Sequence, residues 1–191
     1  MSTGDTAERI AAAARELLLA EGAAAVSMRR VAQAAGITPM AIYTHFPNRD
    51  ALLRAVAGRA FAELAGFGVV SGSDARAKIG DLLERFLDFA LGAPHLYTFL
   101  LTDQRPGARR FPDGFRDGSS PTFTVALELV EAGMREGSLR EDDPLEVTLA
   151  LTTSVQGLVQ QYLGGRIGLP EAEFRALCAR TIERIIHGLG A

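Results

Sequence analysis

The sequence has no tryptophan and only one cysteine, and its 191 residues carry a formal net charge of −3 at pH 7. A single cysteine, Cys178, excludes an internal disulfide and argues against a cysteine-based metal site. No apolar run reaches the roughly 20 residues that a membrane helix needs. The N-terminal stretch MSTGDTAERI lacks the basic segment and apolar run of a secretory signal. These absences predict a soluble, cytoplasmic protein with one large or two small domains.

The small net charge is unevenly distributed along the chain. Residues 1–60 carry seven arginines and five acidic residues, a net charge of +2, whereas residues 61–191 carry a net charge of −5. A mildly basic N-terminal part on an acidic body is typical of a small phosphate-binding module joined to a larger domain with another role.

The hydrophobic pattern predicts an all-α protein. Every segment of clear periodicity has the period of a helix, and no useful length of sequence has the alternating pattern of a strand. The segment 102–119, rich in Gly, Pro and Arg, is predicted as a long loop that is mobile or functional. Breaks at Gly and Pro and the capping residues Ser27, Thr38 and Asn48 separate about nine predicted helices, over about residues 6–21, 28–35, 39–46, 49–65, 74–91, 95–101, 121–136, 144–163 and 170–187. The apolar stripe of the first helix consists of Ile10, Ala14, Leu17 and Leu18.

The second and third predicted helices are each only about two turns long, and the short segment Gly36-Ile37-Thr38 joins them. This length and the glycine are typical of a helix-turn-helix unit. On a helical wheel of the third helix, Pro39, Ile42 and Phe46 share the inner side. Met40 and Thr44 lie opposite them, with Tyr43 on one flank and Ala41 and His45 on the other.

An outward face of Met, Tyr, Thr and His beside arginines suits DNA, since Arg, Tyr, Thr and His side chains bind phosphates and methyl-bearing ones contact thymine. Taken one at a time, Tyr43 and His45 are better explained as ordinary residues of the surface or of the margin of the core. The combination of residues, not any single one, favours an interface with the major groove.

Residues 8–54, and especially SMRRVAQAAGITPMAIYTHFPNRDALLRAV, resemble the DNA-binding domain of TetR-family transcriptional repressors. The resemblance implies a three-helix helix-turn-helix domain over residues 1–50 and a larger helical domain for ligand binding and dimerisation over residues 51–191. The fourth helix, from about residue 48, would link the two. It also implies a repressor that binds a palindromic operator as a homodimer and is released by a small molecule.

The same resemblance implies a role for each matched position. Ser27 caps the second helix and can donate to a phosphate, while Arg29 contacts a base or a phosphate and Arg30 is a second cation nearby. Thr38, Pro39, Met40 and Ala41 lie closest to base edges. Tyr43 and His45 contact phosphates, and Thr44 faces the groove. Asn48 and Arg49 lie where the fourth helix approaches the backbone, although the family usually has Lys at the position of Arg49. The implied DNA-binding residues are Ser27, Arg29, Arg30, Thr38, Pro39, Met40, Ala41, Tyr43, Thr44, His45, Asn48 and Arg49.

The last two predicted helices are apolar on more than one side, as expected of helices with two packing partners. This pattern fits a helix at the centre of a monomer or a symmetric dimer; the resemblance implies the dimer, through a four-helix bundle. The candidate ligand-binding residues are aromatic and polar side chains of helices five to eight: Phe86, Phe89, Tyr97, Phe123, Thr152, Gln156 and Gln160. A related C-terminal subtype of the family carries Trp-His-Gly where this chain has Val155-Gln156-Gly157.

Two other classes of function stay open at this point. An enzyme is disfavoured because His45, His95 and His187 have no metal-site spacing, no glycine-rich phosphate loop follows a strand, and Cys178 lies on an apolar face. We therefore predict no catalytic residue, no cofactor and no metal. The third class is a helical adaptor that binds a protein through residues 38–49. Steep weakening of binding with salt would distinguish DNA binding from this alternative.

Overall fold

The computed structural model of the protein describes residues 3–65, 70–103, 110–116 and 121–188. These residues form helices joined by turns and contain no strand, which confirms the all-α prediction. A 3₁₀ turn, Ala23–Ala25, follows the first helix, and a π-helical turn, Thr98–Thr102, follows the sixth. The ten α-helices within the described ranges are α1 (Thr3–Glu21), α2 (Met28–Ala34), α3 (Pro39–His45), α4 (Arg49–Ala65), α5 (Ala75–Gly92), α6 (Pro94–Tyr97), α7 (Asp113–Arg116), α8 (Pro121–Arg135), α9 (Pro144–Leu163) and α10 (Glu171–His187).

The middle of the chain differs from the prediction in two places. The single apolar helix predicted over residues 95–101 is a one-turn α-helix, α6, continued by the π-helical turn. The segment 102–119, predicted as one loop, contains the short helix α7. Residues 104–109 and 117–119 of that segment lie outside the described residues, so the expectation of a mobile loop stays a prediction there.

The chain divides into two compact units, Met1–Glu63 with Ala93–Ala108, and Leu64–Gly92 with Arg109–Ala191. This division differs from the predicted boundary at residues 50 and 51. Most of α4 stays with the first unit, where ion pairs join it to α1: Arg15 with Glu63 at 3.1 Å and Arg59 with Glu8 at 3.6 Å. The assignment of separate roles to residues 1–50 and 51–191 stays a prediction.

The core of the first unit is built from one apolar face of each of its first four helices. α1 has the predicted stripe, with Ile10, Ala14 and Leu18 fully buried. The other fully or almost fully buried side chains of these helices are alanines and branched aliphatic residues, which pack closely between the short helices. They include Val31, Ala32, Ile42, Leu52, Val56 and Ala60.

The first unit also contains α6, which packs against α1. Gly22 ends α1 with φ +84°, and a Cβ atom added there would stand 3.4 Å from Nδ1 of His95. A glycine is therefore favoured at this position by its positive φ, whereas the imidazole ring lies at ordinary contact distance from the added Cβ atom. Leu96 and Tyr97 of α6 and Phe99 and Leu100 of the π-helical turn are buried.

The second unit is a bundle in which α5, α8, α9 and α10 pack on one another. Phe174 and Cys178 of α10 are fully buried, and the ring of Phe174 stacks on Tyr162 at a centroid distance of 4.0 Å. Arg175 joins α10 to α5 through Glu84 at 3.0 Å and Asp88 at 2.8 Å. None of the helices in the described ranges combines the length and the apolar character that crossing a membrane requires.

Candidate functional site

The predicted helix-turn-helix is present as α2, a tight turn and α3. Gly36 adopts φ +65°, and the Ile37 backbone N–H donates to the carbonyl of Ala32 at 3.0 Å, which closes the turn. The side chains of Ser27 and Thr38 each accept a hydrogen bond from the backbone three residues on, so both act as the N-caps that the sequence predicts.

The faces of α3 follow the predicted wheel at its centre. Ile42 is fully buried, whereas Met40 on the opposite side is 79 % exposed and Tyr43 is 51 % exposed. Thr44 is also exposed, and Ala41 and His45 are half-buried at the flanks.

The inner side of α3 is narrower than predicted. Phe46 is half-buried, but Pro39, which was assigned to the inner side, is exposed. Pro39 is the first residue of α3, so no earlier turn of the helix lies over it. A helical wheel shows only the direction of each side chain around the axis and does not show where the helix begins. Its exposure is compatible with the other prediction for this residue, a position near base edges.

The two adjacent arginines of α2 differ in their partners. Arg30 forms a two-pronged ion pair with Glu21, with nitrogen–oxygen distances of 2.6 and 3.0 Å, and also donates to the carbonyl of Ala25. The hydrogen bonds from Arg30 hold the pKa of the Glu21 carboxyl below its usual range. Arg29 is exposed, and no ion pair of its guanidinium occurs among the residues that the structure describes. Arg29 is therefore the cation of this pair that remains available to a phosphate or a base.

The start of α4 is tied to the rest of the first unit. Asn48 caps α4 by accepting from the backbone N–H of Ala51 at 2.8 Å. Arg49 donates from Nε to the carbonyl of Val26 at 2.7 Å and from Nη2 to the carbonyl of Ala23 at 2.6 Å. The sequence does not predict these bonds, because their acceptors are backbone carbonyls, which every residue type has. Contacts of Arg30 and Arg49 with phosphates stay predictions, but both guanidinium groups already have internal partners.

Six of the seven candidate ligand-binding residues lie in the second unit, on helices that pack together. Phe86 and Phe89 on α5 and Thr152 and Gln156 on α9 are half-buried, and Phe123 on α8 is buried. The Thr152 hydroxyl donates to the carbonyl of Thr148 within its own helix, at 2.8 Å, so a ligand would meet it only as an acceptor. The expectation of a shared ligand site stays a prediction.

Two candidates stand apart from this group. Tyr97 belongs to the first unit, where it is almost fully buried, and burial raises the pKa of its hydroxyl to about 12. Gln160 is exposed, because it lies three residues after the exposed Gly157 and therefore on nearly the same side of α9.

The sequence did not predict an aromatic cluster of Phe111, Phe115 and the candidate ligand-binding residue Phe123. Phe115 of α7 meets Phe123 edge to face at a centroid distance of 4.8 Å, and Phe111 lies 6.1 Å from Phe115. The i, i+4 spacing of Phe111 and Phe115 was a usable signal, but Pro112 and Gly114 between them favoured the loop interpretation. In the described parts of the chain, no three His, Cys, Asp or Glu side chains are grouped as a metal ion would require.

The outward side of α9 is composed of small and polar residues. Ala150, Thr153, Gly157 and Gln161 are exposed and fall on one stripe at helical spacing. A Cβ atom added to Gly157 would have no neighbour within 4 Å, so the chain leaves this stripe open.

Two family sequence models match the chain. The model described as bacterial regulatory proteins, tetR family, matches residues 10–56. The model described as tetracyclin repressor-like, C-terminal domain, matches residues 79–185, more than half of the chain. The first match covers α2, α3 and their flanking helices, and the second covers most of the second unit.

Individual proteins are also similar to the chain. The chain is 26 % identical to the nucleoid occlusion factor SlmA of Marinobacter nauticus over 178 residues, 87 % of this chain and 89 % of that protein. Its fold is similar to that of a Rhodococcus sp. RHA1 protein, with a TM-score of 0.78, 23 % identity and 96 % of both chains covered. It is also similar to the transcriptional regulator FadR of Bacillus subtilis in complex with stearoyl-CoA, with a TM-score of 0.74, 14 % identity, and 96 % and 99 % of the two chains covered.

Proposed function

This chain belongs to the tetR family of bacterial regulatory proteins, and on that premise we propose that it is a transcriptional repressor released from its operator by a small molecule. It is a DNA-binding regulator of transcription by family. The finer points of the proposal are that α3 enters the major groove, that two copies bind a palindromic operator, and that a ligand in the second unit weakens binding. Such a repressor works in the cytoplasm, where its DNA is.

The observation that carries the proposal is the contrast between the two sides of α3. Ile42 is fully buried while Met40, Tyr43 and Thr44 are exposed on a helix of only seven residues. A two-turn helix is marginal by itself, so its position depends on the packing of Ile42 against the unit. A fixed short helix with an outward face of this kind is the geometry with which helix-turn-helix proteins contact base edges.

Dimerisation is proposed through α9 and α10. The open stripe of α9 gives a second copy room for close helix packing, and Leu158, Leu177 and Ile185 are only half-buried within one chain. A two-fold axis along these helices makes an isologous interface. Two copies would then present two α3 helices to half-sites about one DNA turn, roughly 34–36 Å, apart.

The proposed effector is a partly apolar small molecule. Phe86, Phe89 and Phe123 supply apolar surface, and Gln156 supplies a polar group, on helices that pack together. The FadR neighbour of the same fold holds stearoyl-CoA, an amphipathic molecule with a long apolar chain. A ligand with higher affinity for a conformation that does not fit the operator lowers the affinity of the protein for DNA. By linkage, bound DNA lowers the affinity for the ligand by the same factor.

Selection of bound duplexes from a random pool tests the proposal. We expect enrichment of a palindromic motif, with an affinity that falls steeply as salt rises because several phosphates are neutralised. Failure to enrich any duplex, or weak dependence of binding on salt, would instead favour the adaptor that binds a protein through residues 38–49. The matching families describe regulatory proteins, so catalysis is not proposed.

A further inference from the structure

The exposed side of α3 has an uncommon composition for a surface that recognises bases. All seven residues of the helix lie in the described part of the chain, and its exposed side chains are Pro39, Met40, Tyr43 and Thr44. None of these four is charged and none carries a carboxamide. The helix therefore lacks the groups that form two parallel hydrogen bonds to one base, Arg or Lys to guanine and Asn or Gln to adenine.

Of the three nearby arginines, two already have internal partners. Arg30 is engaged by Glu21 and by the carbonyl of Ala25, and Arg49 by the carbonyls of Val26 and Ala23. Arg29 is available, but it lies on α2, outside α3. Base recognition beneath α3 must rely on what that helix itself presents.

Apart from the hydroxyl groups of Tyr43 and Thr44, the exposed side of α3 presents apolar carbon. Thymine is the base with a methyl group in the major groove, and it is recognised by apolar contact with that C5-methyl. Met40 offers an unbranched thioether that is 79 % exposed in the unbound chain and adapts its shape to a neighbour. Thr44 lies one turn further on the same face and adds a methyl group.

We propose that α3 recognises its half-site mainly through thymine C5-methyl groups, contacted by Met40 and by the methyl group of Thr44. The inference rests on the proposed function, because it assumes that α3 occupies the major groove. It adds the chemical feature of the DNA that is recognised: thymines at the positions facing Met40 and Thr44, in place of a guanine or adenine bound by paired hydrogen bonds. Tyr43 then serves the phosphate backbone and has no part in base choice.

The test replaces thymine by deoxyuracil, one position at a time, in the operator recovered by the selection. This exchange removes only the C5-methyl group and leaves base pairing and every hydrogen-bonding atom in place. We expect wild-type affinity to fall about fourfold at each thymine that faces Met40 or Thr44, the fold-change that corresponds to burying one methyl-sized group. Thymines outside the half-site core serve as the internal control.

Variants of α3 assign each methyl contact to a side chain. Met40→Ala should have the same affinity for the thymine and the deoxyuracil duplex at the position that faces Met40 in the wild type, because the variant has already lost the contact with that methyl group. Thr44→Val keeps a methyl group and should keep the discrimination at its position, whereas Thr44→Ser keeps only the hydroxyl and should lose it. Tyr43→Phe should weaken binding to both duplexes by the same factor.

The outcomes separate this inference from the function on which it rests. A wild-type protein that binds its operator but tolerates deoxyuracil at every position would overturn the methyl recognition and leave the DNA-binding role intact. Discrimination that survives in both Met40→Ala and Thr44→Ser would overturn the assignment to these side chains. If no duplex is enriched in the selection, the proposed function itself fails, and the inference fails with it.

Discussion

Arg29, Arg30 and Arg49 lie close together in the first unit and have the same side chain, yet they are used differently. Arg29 is exposed, Arg30 faces a carboxylate, and Arg49 donates to two backbone carbonyls. Both acceptors of Arg49 belong to the 3₁₀ turn and its C-cap, directly before α2. Arg49 therefore connects the start of α4 to the segment that positions α2, and through α2 it supports α3.

We predict that Arg49→Lys destabilises the protein by about 1–3 kcal/mol, because one ammonium cannot reproduce two divergent hydrogen bonds and a carbonyl loses its partner. Urea unfolding followed by circular dichroism measures the change. Arg30→Lys is the matched control and should have little effect, since its ion pair is solvent-exposed. Equal unfolding midpoints for wild type and Arg49→Lys would mean that the two hydrogen bonds from Arg49 to backbone carbonyls do not contribute to stability.

At the scale of single elements, the end of α8 depends on a glycine inside the helix. Gly133 is buried, and its carbonyl accepts from the backbone N–H of Leu139 at 2.9 Å and from the Ser138 hydroxyl at 3.2 Å. A Cβ atom added at Gly133 would stand 2.7 Å from the Leu139 side chain and 3.2 Å from Cβ of Ala75. Leu139, which follows the end of α8, and Ala75 of α5 thus approach α8 closely at Gly133, where no side chain intervenes.

We predict opposite signs for two glycine-to-alanine changes in the second unit. Gly133→Ala should lower stability despite a gain in helix propensity of about 1 kcal/mol, because overpacking a core costs about 1–3 kcal/mol. Gly80→Ala, in α5 and with nothing within 4 Å of its added Cβ, should raise stability by about 0.5–1 kcal/mol. Thermal and urea unfolding of the two variants measure both effects. A stabilised Gly133→Ala would mean that Leu139 moves aside at no cost.

At the scale of the whole molecule, function in the proposed form requires two copies of the chain. We predict that Gly157→Arg, on the open stripe of α9, leaves the fold intact but prevents dimerisation, since arginine cannot fit between closely packed helices. Sedimentation should then give the 20.3 kDa mass of one chain instead of twice that value. Operator affinity should fall by about 100-fold or more, because the second half-site no longer binds as part of the same molecule.

The control for dimerisation is Gly80→Arg, which adds the same side chain to another exposed glycine with open space around it. This variant should remain a dimer with unchanged operator affinity. Dimers of Gly157→Arg at the concentrations where wild type is dimeric would exclude α9 as the interface.

Much of the local structure of this protein is determined by its sequence alone. Apolar periodicity, the caps Ser27, Thr38 and Asn48, and the breaks at glycine and proline predicted the all-α fold and the two short helices of the helix-turn-helix. They also predicted which side of α3 holds Ile42 and which holds Met40. These features follow from interactions over three or four residues, whose geometry is the same in any helix.

The tertiary structure decided which distant segments and side chains meet. It placed α6 and Tyr97 with α1 in the first unit, gave Arg30 and Arg49 internal partners, and brought Phe115 against Phe123. Residue types and spacing do not predict such contacts, because a guanidinium can bind a carbonyl, a carboxylate or a phosphate. Which acceptor it meets depends on the path of the chain through the core, and that path follows from the packing of all the helices together.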